Sequence, residues 1–82
     1  MAADRAGEWL AGTVEWFSAE EGWGALRAPQ TPGGCFVHFS AIEGDGYRAL
    51  AAGQHVRFTI EHLTDFEQDG YSYRALRVVG LD

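Results

Sequence analysis

Eighty-two residues allow one domain with one small core, and a hydrophobic share of 46% excludes a disordered tail. Aromatics at 13% together with 11 glycines favour a tightly turned all-β fold. The net charge is −6, all six basic residues are Arg and none is Lys, so composition by itself argues against a generic nucleic-acid binder, which should be basic.

The first strand is predicted over Glu8–Phe17, where Gly12-Thr13-Val14-Glu15-Trp16-Phe17 is rich in β-branched and aromatic residues. Ser18–Glu21 reads as a turn and Gly22–Arg27 as the second strand. Ala28–Gly34, with two prolines and two glycines, is a loop. Cys35–Phe39 is a short third strand, after which Ser40 is placed to cap a helical turn over Ala41-Ile42. Gly44-Asp45-Gly46 and Gly53-Gln54 break the chain on either side of Tyr47-Arg48-Ala49-Leu50. In His55–Leu63, Val56, Phe58 and Ile60 alternate with Arg57, Thr59 and Glu61, the pattern of a half-buried fourth strand. Asp65–Gly70 is an acidic loop and Tyr71–Leu81 the fifth strand. One domain over 1–82, with a core from about 10 to 80, is expected.

The aromatic pattern carries the functional signal. Side chains on a strand alternate faces, so Phe36 and His38 share one side and Cys35, Val37 and Phe39 the other, which is assigned to the core. Trp23 and Ala25 share a face of the second strand, and the short turn lets Trp16 join the same patch. A small barrel interior is filled by its aliphatic residues, so Trp16, Trp23 and Phe36 are expected outside. For Phe17, Phe39 and Phe58 the core is at least as good a home. Outward rings can stack on unpaired bases whatever their identity, and cannot reach those of a duplex.

Several other patterns imply no chemistry. Gly22-Trp23-Gly24 is followed by Arg27 where a dinucleotide loop needs Gly, and no βαβ unit surrounds it. His38 and Ser40 lack an orienting third group, and Glu20-Glu21 reads as a solvated turn. His38, His55 and His62 are scattered, so no metal site is expected. The lone Cys35 excludes an internal disulfide and suits a reducing compartment. The first nine residues have no apolar h-region and no run approaches membrane length, so a cytoplasmic protein is expected.

Gly12-Thr13-Val14-Glu15-Trp16-Phe17-Ser18 resembles the opening G-T-V-K-W-F-N of bacterial cold-shock proteins. Gly22-Trp23-Gly24 is similar to that family's first ribonucleoprotein motif, K-G-F-G-F. Phe36-Val37-His38-Phe39-Ser40-Ala41-Ile42 is similar to the second motif with its S-A-I continuation. Gly46-Tyr47-Arg48-Ala49-Leu50 and Gly53-Gln54-His55-Val56-Arg57-Phe58 resemble G-Y-K-S-L and G-Q-x-V-x-F. The resemblance implies an all-β, five-stranded antiparallel oligonucleotide-binding-type (OB-fold) barrel that binds single-stranded RNA or DNA, as an RNA chaperone or regulator of expression. Its candidate contacts are Trp16, Phe17, Trp23, Phe36, His38, Phe39, Tyr47 and Arg48. From the fifth strand, Arg74 and Arg77 can add charge and Tyr71 or Tyr73 a ring, with coverage of the barrel surface an equal alternative; Tyr73 and Arg74 join the candidate contacts. No catalytic residue, cofactor, small-molecule substrate or membrane partner is implied.

The departures from the family pattern weaken phosphate binding. Glu15 and Glu21 stand where the family has lysines, a change of about −4 in charge along the phosphate track. Ser18 replaces an asparagine, and Ala25 replaces an aromatic. A protein-interaction module on the same scaffold, with an acidic aromatic face for a basic partner, is the alternative function.

Overall fold

A computed structural model of the protein describes residues 7–44, 49–64 and 67–81. Five strands appear in chain order: β1 (Leu10–Ser18), β2 (Trp23–Arg27), β3 (Cys35–His38), β4 (His55–His62) and β5 (Tyr73–Gly80). They close a barrel in the order β1-β2-β3-β5-β4, with β4 pairing back onto β1. The expected five-stranded barrel is therefore present. Four of its seams are antiparallel, and the closing seam between β3 and β5 is parallel, at Phe36 opposite Arg74. Closure leaves no sheet edge to aggregate, which suits a chain with so small a core.

Alternation decides what lies inside. Leu10, Val14, Leu26, Val37, Val56, Phe58 and Val78 fill the barrel, joined by Cys35, Ile42 and Ile60. Phe58 is fully buried, as its place in the alternating β4 pattern suggested. Cys35 is buried too, and burial pushes its thiol up to about 12, so it stays protonated and unreactive at neutral pH. Gly24 marks a close approach of two strands: a Cβ there would stand 2.2 Å from the Trp16 carbonyl oxygen and 2.7 Å from the Phe17 Cα. Only glycine allows β1 and β2 to close that far.

Two bulges break the period of two. The β1–β2 register passes from Val14 opposite Leu26 to Trp16 opposite Ala25, leaving Glu15 as the extra residue. The β4–β5 register slips likewise between Thr59 and Ile60, leaving Leu76 out and exposed. The first bulge positions the site. Strict alternation would send Trp16 inward beside Val14; one inserted residue turns Trp16 out and turns Phe17 in against the core.

The end of β3 differs from the sequence expectation. The strand stops at His38, and Phe39–Ala41 form a single 3-10 turn. His38, not Ser40, caps it: its Nδ1 accepts from the Ser40 backbone N–H at 3.3 Å and lies 2.8 Å from the Ser40 hydroxyl. The following segment closes one end of the barrel, where Ile42 bridges to Val78 and the Glu43 N–H donates to the Val78 carbonyl at 2.8 Å.

Candidate nucleic-acid interface

Cross-strand partners share a face, so the register builds the outer surface directly. One row runs Trp16, Ala25, Phe36, Arg74 and Glu61 across β1, β2, β3, β5 and β4. The row beside it runs Ser18, Trp23 and His38. Trp16 and Trp23 meet edge to face, with centroids 4.8 Å apart and planes at 73°. Trp23 stacks on Phe36 at 5.2 Å and 24°. His38 leans on Phe39 at 4.6 Å and 42°. These separations are those of favourable aromatic pairs, and they make two ring groups on the outer face, Trp16–Trp23–Phe36 and His38–Phe39, brought near each other by the register of Trp23 opposite His38.

Placement of the expected site residues is mixed. Trp16 and Trp23 are half-buried on the outer face, and His38 is exposed beside them. Phe36 is on the expected face but is only 4% exposed, contrary to the expectation of an open ring. Trp23 lies over it, so Phe36 forms the floor of the patch. Phe39 corrects the core assignment: it is 44% exposed, because β3 has already ended and strand alternation no longer fixes its direction. Phe17 packs against the core from the opposite side. Tyr73, next to Arg74 on β5, packs against the core and stacks on His62 at 4.7 Å and 14°, apart from the Trp16–Trp23–Phe36 group. Tyr47 and Arg48 lie outside the described residues.

Three of the described arginines have carboxylate partners that the sequence did not disclose. Arg74 is ion-paired with Glu61 across β4–β5. Arg27 pairs with the bulged Glu15 at 3.1 Å. Arg77 donates to Glu43 at 2.5 Å, a bond that holds the Glu43 carboxyl below the usual carboxylate range and raises Arg77. The Glu21 carboxylate accepts from the Trp23 indole N–H at 3.3 Å and fixes the ring's edge. Tyr71, one of the two rings considered as additions from the fifth strand, has a hydroxyl that accepts from the Trp16 indole N–H at 3.3 Å. An Asp-Gly turn signal two residues ahead of it could have placed it at a hairpin tip. Among the described residues, no group of three or more His, Cys, Asp or Glu side chains could hold a metal ion. No helix among them is long and apolar enough to cross a membrane.

Comparison with known proteins bears on this geometry. The profile of the 'Cold-shock' DNA-binding domain matches residues 10–77. The chain belongs to the cold-shock domain family. Similar members include the cold shock-like protein CspB of Escherichia coli (strain K12), 46% identical over 52 residues, which are 63% of this chain and 73% of that protein. The cold shock protein CspC of Bacillus subtilis (strain 168) is 48% identical over 50 residues, 61% of this chain and 74% of its own. The cold shock-like protein CspLB of Listeria monocytogenes is 51% identical over 51 residues, 60% of this chain and 73% of its own. This cold-shock domain is thus a nucleic-acid-binding barrel of bacterial type, and its ring surface is built by the matched segment from Trp16 to Phe39.

Proposed function

We propose that this cold-shock domain binds single-stranded RNA or DNA by stacking successive bases on its outer aromatic surface, as an RNA chaperone or regulator of expression in the cytoplasm. Trp16 and Trp23 offer ring faces, Phe36 supports Trp23 from beneath, and His38 and Phe39 continue the surface at the end of β3. Tyr47 and Arg48 are further contacts in this reading, and Arg74 reaches a phosphate when it exchanges Glu61 for it. The single observation that carries the reading is the run of outer-face rings at 4.8 and 5.2 Å, outside the hydrophobic core. Each stacked base contributes about 1–3 kcal/mol and needs no particular base identity. No group on the protein acts as acid, base or nucleophile in this reading.

The acidic character shapes the affinity. Arg27, Arg74 and Arg77 are each engaged by a glutamate, so a phosphate must displace a carboxylate before it gains a cation. Binding then rests more on stacking than on counterion release, and the salt dependence is shallow. Titration with a mixed-sequence unpaired oligonucleotide at two salt concentrations tests this. Micromolar or tighter binding with a shallow salt slope is expected, weakened by Trp16→Ala and by Phe36→Ala in folded protein.

A second reading has its own observation, the Glu21 carboxylate on the Trp23 indole N–H, with Glu15 paired to Arg27 at the neighbouring bulge. A basic protein partner would bury those rings and pair those carboxylates. No oligonucleotide binding at tens of micromolar, restored by Glu15→Lys with Glu21→Lys, is the result that favours this reading.

A further inference from the structure

Ala25 stands in the middle of the outer row between Trp16 and Phe36. A methyl on the outside of a barrel ordinarily meets water, yet this one is 0% exposed. Tyr71 supplies a cover. At one end its hydroxyl accepts from the Trp16 indole N–H of β1 at 3.3 Å. Along its edge it lies against Gly34, where an added Cβ would stand 2.9 Å from Tyr71 Cε1 and 3.2 Å from Cδ1. β1 and β3 are the two neighbours of β2, so a side chain reaching from Gly34 to Trp16 must cross β2 on its outer side. Trp16 is opposite Ala25, and Gly34 precedes Cys35, which is opposite Leu26. The crossing therefore falls at Ala25.

The hairpin tip holds Tyr71 for this purpose. Asp69 and Gly70 have φ of 51° and 88°, and Gln68 and Tyr71 exchange both backbone hydrogen bonds at 3.0 and 2.9 Å. That is the geometry of a two-residue type I′ turn, whose twist matches a hairpin. Tyr71 is thus the first residue after a rigid turn and is half-buried. Its hydroxyl oxygen is occupied as an acceptor, and its own proton stays available to donate.

We propose that Tyr71 is a further stacking residue of the interface, a ring brought from the β4–β5 hairpin into the gap that Ala25 leaves, and that its hydroxyl sets the angle of Trp16. The inference rests on the single-strand reading above. Ala25 and Gly34 are small because a phenol ring lies over them. A bound strand then meets rings at Tyr71, Trp16 and Trp23, contributed by a hairpin and two strands.

The test compares four variants of the chain by affinity for a mixed-sequence unpaired DNA oligonucleotide and by the indole N–H resonances. Tyr71→Leu keeps apolar cover over Ala25 but removes the ring; its dissociation constant is expected to rise about tenfold, the loss of one stacked base. Tyr71→Phe keeps the ring and removes the hydroxyl; its affinity stays within about threefold while the Trp16 indole N–H resonance moves. Ala25→Phe alone collides with Tyr71 and weakens binding. In the Tyr71→Leu background, Ala25→Phe returns affinity to within about threefold of wild type by refilling the gap. Wild-type affinity in Tyr71→Leu overturns the inference while leaving the single-strand reading intact. A double variant no tighter than Tyr71→Leu overturns the placement over Ala25. A wild-type protein that binds no unpaired strand overturns both readings together.

Discussion

Two tryptophan-bearing surfaces of the barrel are treated oppositely. On the β1–β2–β3 side, Trp16 and Trp23 pack on each other and on Phe36. On the β4–β5 side, the half-buried Trp9, just before β1, lies under two cations: the Arg77 guanidinium is 4.9 Å from its ring centroid and that of Arg57 is 5.7 Å. Arg77 is in turn tied to Glu43. Cation–π contacts of this kind stabilise the protein and occupy the ring face that a base would need. An exposed indole is therefore not by itself a binding site. What distinguishes the first surface is that its two indoles pack on each other and on Phe36, and are partly open to water, rather than lying under the protein's own arginines.

The sharpest way to break this comparison is to remove one tryptophan from each surface. Trp23→Ala should cost about 1–3 kcal/mol of single-strand affinity, roughly 5- to 150-fold, because it removes a stacking face and uncovers Phe36. Calorimetric titration checks this. Trp9→Ala should leave affinity within about twofold and instead lower stability by about 1–2 kcal/mol, read from urea unfolding. Equal effects of the two variants on binding would erase the distinction. Charge sharpens the comparison further. Glu15→Lys with Glu21→Lys should tighten binding at low salt and steepen the salt slope by about 1.4, at about 0.7 for each phosphate that a new lysine neutralises. Glu61→Gln should act more weakly in the same direction by releasing Arg74.

The smallest effect is a pH dependence on the Trp9 side. Hydrogen bonding to Arg77 lowers the folded-state carboxyl of Glu43 below its usual 4.5. A depressed carboxyl contributes stability above its unfolded pKa, and that contribution disappears as pH falls through the lower, folded value. Unfolding midpoints measured between pH 6 and 3, roughly the carboxylate range, should show a small loss that Glu43→Gln removes. Both groups are exposed, so solvent and salt screen most of the attraction.

Much of the fold was legible because burial obeys period two. The alternation of Val56, Phe58 and Ile60 with Arg57 and Glu61 located β4 and its core face correctly. Thr59 breaks the pattern, since it points outward and is still buried. The site was legible where motif and strand agree, at Trp23 and His38. The outward side of Trp16 was expected from barrel volume and the short turn, but its cause was not legible: Trp16 faces out because Glu15 bulges, and a bulge leaves no mark in hydrophobic periodicity. Phe39 faces out because β3 gives way to a 3-10 turn one residue earlier than its apolar run suggests. Depth escaped the same reasoning: alternation gave the face of Phe36 but not that Trp23 would roof it. The pairing of Arg74 with Glu61, and the reach of Tyr71 to Trp16, join residues 13 and 55 positions apart, where no local pattern points.

The most direct test of the stacking claim isolates the two indoles of the interface. Trp9→Phe leaves Trp16 and Trp23 as the sole tryptophans of the chain. Their emission should be quenched on titration with an unpaired oligonucleotide, and should stay unchanged when the same strand is first annealed to its complement. Equal quenching by the duplex, or binding of the single strand with no change in emission, would contradict the account.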